Sequence, residues 1–252
     1  VYLLRLEVTA NSGFHFQEVR RVAIERSVVI QVTTDSSDQM FPSISNGKIV
    51  WADYSKGNPG IYLYDSATHT QKKIIDANKD TIMPVQPLVE ISGNIVAYSV
   101  TRQSGDVSND SMNIYDLSTQ TNKVISSGFR TSDRPSISGN KIVWGWDPEL
   151  SKPLCRHSDI YLYDLETNRG HFIARDQNIK FSPRIFGRYI VWRDWGIFRQ
   201  YLAGGFKEDV VLYDSITHTE RPIVIDPPGG DLSLKMQADP AISYNRVVYT
   251  DG

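Results

Sequence analysis

Cys155 is the only cysteine in 252 residues. A single thiol excludes an intramolecular disulfide and a cysteine-built zinc site. Charge of either sign is also scarce in excess: 27 Lys and Arg stand against 29 Asp and Glu, a net charge of −2. The basic surplus that neutralises phosphates is therefore missing, which argues against a nucleic-acid partner, and there is no acidic tail. No apolar run approaches about 18 residues, so no transmembrane segment is expected. Gly-x-Ser-x-Gly, the P-loop, HExxH and CxxC do not occur, so no common nucleophile, phosphate or metal motif marks a catalytic centre. The chain opens at Val1 without Met or a signal-type segment, and is expected to be a processed or excised piece.

Aromatic residues are plentiful, with 13 Tyr and 5 Trp, and they suit strands better than helices. Many sit in near-copies of two phrases. The first is anchored on proline or its neighbour: Pro42-Ser-Ile-Ser, Pro87-Leu-Val-Glu-Ile-Ser, Pro135-Ser-Ile-Ser, Pro183-Arg-Ile-Phe and Pro240-Ala-Ile-Ser. Each leads through a turn pair such as Asn46-Gly47 or Gly139-Asn140 into an apolar run ending at Trp51, Tyr98, Trp144, Trp192 or Tyr249. The second phrase is IYLYDSATHT, NIYDLSTQT, IYLYDLETN and VVLYDSITHT, whose Asp65, Asp116, Asp164 and Asp214 recur at spacings of 51, 48 and 50 residues. A period of about fifty residues signals a repeat architecture.

Each unit predicts four short antiparallel strands. Strand a is P-S-I-S, b is K-I-V-W, c is I-Y-L-Y-D, and d is the apolar piece beyond, as at Lys73-Ile74-Ile75. Asn-Gly and Gly-Asn pairs are strong two-residue hairpin signals between a and b. In the Asp-x-x-Thr turns between c and d, the Asp carboxylate accepts backbone N–H groups. Repeated four-stranded units of this kind describe an all-β fold, a β-propeller of four-stranded blades.

The P-x-I-S-G-N-x-I-V-W-x-D and I-Y-x-Y-D-x-x-T runs resemble the TolB-like propeller repeats of periplasmic and archaeal surface-layer proteins, over residues 28–252. The resemblance implies the scaffold, and an extracellular, cell-surface or periplasmic setting. A single domain over 1–252 is expected: N-terminal strands at about 1–33, blades at 34–78, 79–128, 129–176 and 177–226, and half a blade at 227–252. Five blades follow if the N-terminal strands complete that half, with Val28–Val32 as strand d and either Val19–Glu25 or Val1–Val8 as strand c. The rival is a crop from a longer propeller.

In such a meander the short, alike a–b and c–d turns share one edge of the disc, and the long, varied b–c and d–a links share the other. Binding residues usually occupy loops on a rigid scaffold. The richest b–c links are SVTRQSGDVSNDSMN with Arg102, GWDPELSKPLCRHSD with Trp146, Asp147, Arg156 and His157, and RDWGIFRQYLAGGFKED with Arg193, Asp194, Trp195, Arg199 and Tyr201. Aromatics beside Arg and Asp suit a protein or a glycan. Residues at the start of strand a should line the channel mouth: Phe41, Gln86, Arg134, Arg184 and Asp239. Two arginines there would favour an anion, such as a carboxylate-bearing sugar or a peptide C-terminus; the alternative is that each pairs with Asp133 or Asp239.

The expected function is a non-catalytic binding propeller that presents its variable face to a protein or glycan, or to neighbouring copies or domains, with no cofactor. The alternative is a carbohydrate-active hydrolase or lyase. It needs two carboxylates about 5 to 9.5 Å apart, drawn from Asp53, Asp147, Asp194, Asp251, Glu149 and Glu208. Asp53, Asp147, Asp194 and Asp251 follow strand b at similar positions and are expected to cap their own loops rather than to bind calcium. Glu90 is the odd acid, on an otherwise apolar inner strand.

Overall fold

The computed structural model describes residues 2–9, 15–22, 30–55, 57–77, 88–104, 107–130, 133–148, 158–176, 178–195, 208–223, 237–244 and 246–251. They divide into two compact units, Val1–Asp35 and Ser36–Gly252. In the first, β1 (Tyr2–Thr9) and β2 (His15–Val22) pair as an antiparallel hairpin from Tyr2↔Val22 to Thr9↔His15. Ile30–Val32, expected within an outer strand, lies in no strand, and residues 28 and 29 lie outside the described residues.

The second unit consists of antiparallel sheets in chain order. Its first sheet comprises β3 (Gln39–Ser45), β4 (Lys48–Asp53), β5 (Gly60–Asp65) and β6 (Thr70–Asp76). The second comprises β7 (Val89–Ser92), β8 (Ile95–Ser104), β9 (Val107–Asp116) and β10 (Thr121–Phe129). The third comprises β11 (Ser136–Ser138), β12 (Lys141–Trp146), β13 (Asp159–Asp164) and β14 (Arg169–Ala174). The fourth comprises β15 (Ile179–Phe186), β16 (Tyr189–Trp195), β17 (Glu208–Asp214) and β18 (Thr219–Pro222). A two-stranded sheet of β19 (Gln237–Ser243) and β20 (Arg246–Asp251) follows. The inner strands β3, β7, β11, β15 and β19 pack each on the next, so the sheets are propeller blades.

The repeated phrases now have physical causes. Asp65, Asp116, Asp164 and Asp214 each accept backbone N–H groups inside their own c–d turn, as in Ala67 N–H to Asp65 at 2.9 Å and Ser118 N–H to Asp116 at 2.8 Å. The fourth turn residue, His69, Gln120, Asn168 or His218, carries a positive φ. Each c–d turn is also tied to the a–b turn beside it: Ser66 N–H donates to Gly47 O, Leu117 to Asn94, Leu165 to Asn140 and Ser215 to Arg188, at 2.8 to 2.9 Å. The short turns therefore share one edge, and the long links share the other.

The serines of P-S-I-S join one blade to the next. Ser43 Oγ accepts the Ile91 N–H at 3.2 Å and Ser45 Oγ the Gly93 N–H at 2.9 Å. Ser92 serves Gly139, Ser136 serves Ile185 and Ser138 serves Gly187 in the same way. A serine hydroxyl thus satisfies a backbone donor that no strand partner reaches on the inner edge of the second, third and fourth sheets. Where the fourth blade reads Arg184-Ile-Phe186 instead, the Phe186 ring packs at a tilt against Tyr244 with centroids 4.9 Å apart.

Apolar layers fill the space between successive blades. Val50, Ile61 and Leu63 meet Val89, Ile91 and Val96; Ala97 and Met112 meet Ile137, Ile142 and Trp144; Val143, Ile160 and Leu162 meet Ile185, Ile190 and Trp192. Ile91, Ile137 and Ile185 are 4 to 5% exposed, whereas their equivalent in β3, Ile44, is 68% exposed. The inner-strand isoleucine is buried by the preceding blade, and no blade of this unit precedes β3.

One loop expectation is corrected. The second b–c link is not a loop, because β8 and β9 continue as a long hairpin with Thr101↔Asp110, Arg102↔Asn109 and Ser104↔Val107 in register. Only residues 105 and 106, a Gly-Asp pair, separate the strands. Gly-Asp is itself a two-residue hairpin signal, and the Val100-Thr101 stretch favours strand.

Candidate functional site

The inner strands begin irregularly, on the edge that carries the long links. Pairing slips between Met40 and Ser43 in β3 and between Phe181 and Arg184 in β15. Phe41 and Ser182, each just before a proline, hold φ of +55° and +50°. A non-glycine side chain there costs on the order of 1–2 kcal/mol, which the proline bulge imposes. At this level residues from non-adjacent blades meet. The Arg134 guanidinium, leading into β11 of the third blade, lies 5.4 Å from the centre of the Phe41 ring of the first. Glu90 on β7 of the second blade interacts electrostatically with Arg184 on β15 of the fourth, and with Arg134. Four blades thus deliver Phe41, Glu90, Arg134 and Arg184 to one place on the axis.

Glu90 occupies the position of Ser43 and Ser136 in its blade, and it does their work: its carboxylate accepts the Ile137 N–H and the Ser136 hydroxyl. Burial pushes the Glu90 carboxyl above the ordinary carboxylate value, opposed by Arg184, Arg134 and these two donors. Burial likewise lowers the Arg134 guanidinium; Glu90 opposes that shift and Arg184 adds to it. Arg184 donates from Nη1 to Pro183 O at 2.9 Å, and both arginines are half-buried. Among the described side chains, two cations stand against one anion in this cluster, in surroundings where water screens charge less than in bulk. The odd acid of the inner strands is therefore the partner of its neighbours' donors.

A second charged cluster lies in the fourth blade. Lys180, whose side chain is 1% exposed, pairs with Asp176 and, at 3.7 Å, with Asp194. Asn178 Nδ2 donates to Asp194 at 2.7 Å. Burial raises the Asp194 carboxyl, Lys180 opposes that, and Asp176 adds to it. Ser158 of the third blade donates its hydroxyl to Lys180 O at 2.5 Å, so this network fastens a d–a link across a blade boundary.

The remaining candidates separate into packed and outlying residues. Trp146 is half-buried, 4.5 Å from Phe129, 5.0 Å from Tyr161 and 5.5 Å from Phe172 between ring centres, so its ring is committed to blade packing. Asp147 is buried, and its backbone pairs with Arg130. Arg193 lies 5.9 Å over Phe181, whose ring is 6.3 Å from Trp195. Asp53 accepts Ser55 N–H at 2.9 Å, the Ser55 hydroxyl, and Trp51 Nε1–H at 3.4 Å, and so caps its own loop. Arg156, His157, Arg199, Tyr201, Gln86 and Glu149 lie outside the described residues; Arg102, Asp239, Glu208 and Asp251 are placed only by their strands. Among the described residues, no group of three His, Cys, Asp or Glu side chains could hold a metal ion. Nor is any helix there long and apolar enough to cross a membrane.

The sequence matches no protein-family profile and no curated protein. Solved structures resemble the fold. TolB from Acinetobacter baumannii is 16% identical, with a TM-score of 0.54 over 87% of this chain and 48% of its own. The acylaminoacyl peptidase of Pyrococcus horikoshii is 13% identical, with a TM-score of 0.57 over 96% of this chain and 37% of its own. The β-propeller domain of the Trilobed protease from Pyrococcus furiosus, described as having an open velcro topology, is 13% identical, with a TM-score of 0.50 over 75% of this chain and 57% of its own. The chain therefore spans well under two thirds of each of these structures. At such identities the likeness establishes the β-propeller fold.

Proposed function

We propose that this propeller is a non-catalytic binding module that takes a protein segment or a glycan at its axial mouth, on the edge of the long links. The carrying observation is the meeting of Phe41, Glu90, Arg134 and Arg184 from four blades. One acid there is already hydrogen-bonded and two cations face it, a set suited to grip rather than to general acid–base work. Of the acids the enzyme reading would use, Asp53 is engaged within its own loop, and Asp194 is engaged not by its own loop but by Asn178 and Lys180 at the start of the blade. An extracellular or periplasmic setting accords with the TolB likeness. The likeness to part of a peptidase also accords with a propeller that serves a larger protein.

The test is a glycan array and a peptide array probed with the purified chain, followed by mass spectrometry of each bound ligand after long incubation. Saturable binding with the ligand recovered intact is expected. Cleavage that disappears in Asp53→Asn or Asp194→Asn would replace this reading with the hydrolase or lyase one.

A further inference from the structure

We propose that Arg134 and Arg184 form a carboxylate-binding site at the axis, with the Phe41 ring as its apolar wall. This inference rests on the binding reading above and names the ligand group.

Three observations carry it. The first is unbalanced charge. Among the described side chains, Glu90 is the acid that interacts with both arginines, and its oxygens already receive the Ile137 N–H and the Ser136 hydroxyl. A further monoanion would bring these three side chains to neutrality. A phosphate monoester, with about −1.5 to −2 charge at neutral pH, would overshoot and meet repulsion from Glu90.

The second is the arrangement of donors. Arg184 uses Nη1 on Pro183 O, and Arg134 lies over the Phe41 ring. A guanidinium carries five N–H donors in a planar fork that matches a carboxylate. Charge-assisted bonds of that kind are about twice as strong as neutral ones.

The third is the departure from the repeat. At the equivalent inner-strand position two other blades carry Ser43 and Ser136, each accepting a backbone N–H of the next blade. Arg184 has no acceptor to offer there, so the fourth blade gives up that bond and places a cation at the axis instead. Arg134 likewise stands where the first and fourth blades carry Phe41 and Ser182. Packing alone calls for neither arginine.

A carboxylate could arrive on a peptide chain end or on an acidic sugar. The probes are acetyl-dialanine, its C-terminal amide, methyl glucuronide and methyl glucoside. Each is titrated into the full chain by NMR, with the Nε–H signals of Arg134 and Arg184 followed. Binding of at least one acid is expected, with both arginine signals moving and its neutral counterpart silent. Binding of the peptide acid alone identifies chain ends; binding of the sugar acid alone identifies uronates. Arg134→Gln with Arg184→Gln should weaken that acid at least about tenfold, while Glu90→Gln, which keeps an acceptor for Ile137, should tighten it.

The wild-type arginine signals make the test independent of how the variants fold. If neither acid moves them, or if acid and neutral probes bind alike, the carboxylate site is refuted. Positive arrays would then leave the binding reading intact, whereas blank arrays would remove that as well.

Discussion

Replacing Ser136 by Ala should cost more than any other serine of the inner strands. Ser136 is 2% exposed; its Oγ accepts the Ile185 N–H at 3.2 Å, and its hydroxyl donates to Glu90. One side chain therefore joins the second, third and fourth blades. An orphaned buried donor costs about 1–3 kcal/mol, and a hydrogen bond to a charged group contributes about 1.5–3 kcal/mol. The two losses overlap in part, so about 2–4 kcal/mol is expected. With a urea slope of about 2–3 kcal/mol per molar, the midpoint should fall by roughly 1 M. Ser138→Ala is the internal control, because the Gly187 N–H that it serves at 2.9 Å is exposed and water can replace the hydroxyl; about 0.5–1.5 kcal/mol is expected there. The direct assay is amide exchange at Ile185, which should lose protection in Ser136→Ala and regain it in Ser136→Thr. Equal costs for the two alanine variants, or unchanged exchange at Ile185, would refute the interblade role of these serines.

Three further outcomes follow from the same geometry. Ile137→Ala should cost about 2–5 kcal/mol, whereas Ile44→Ala, at a 68% exposed equivalent position, should cost well under about 1 kcal/mol in the same urea titration. Gly170→Ala should destabilise the third blade and alter tryptophan fluorescence, because a Cβ there would lie 2.4 Å from the Tyr161 ring, which packs against Trp144 and Trp146. Burial holds the Glu90 carboxyl above its ordinary value, so the folded state keeps a proton that the unfolded chain has released. Stability should therefore fall as pH rises from the ordinary carboxylate value of about 4.3 through the raised one. Glu90→Gln should remove that decline in thermal melts; an equal slope in both proteins would contradict it.

Much of the scaffold was legible in the sequence. The a, b, c and d strands fall on the repeated phrases, and the c–d aspartates hold their turns as their chemistry requires. The second b–c link was misread because its polar residues suggested a loop, although alternation and a Gly-Asp pair allow the hairpin that forms. Trp146 suggested an exposed anchor, but Phe129, Tyr161 and Phe172 arrive from other strands and enclose it. The repeated serines were visible as a pattern, yet their partners lie 47 to 49 residues away. Glu90 stood out as unusual; its donors and its arginines became visible only once the blades were stacked.

The sequence by itself determined strand, turn and period, because those depend on neighbours within one unit: alternation across a pleat, a hairpin dipeptide, an aspartate reaching two residues ahead. Only the tertiary structure decided which residues meet at the axis. Phe41, Glu90, Arg134 and Arg184 lie roughly fifty residues apart along the chain. They become neighbours because successive blades pack inner strand against inner strand, bringing equivalent repeat positions together around one line.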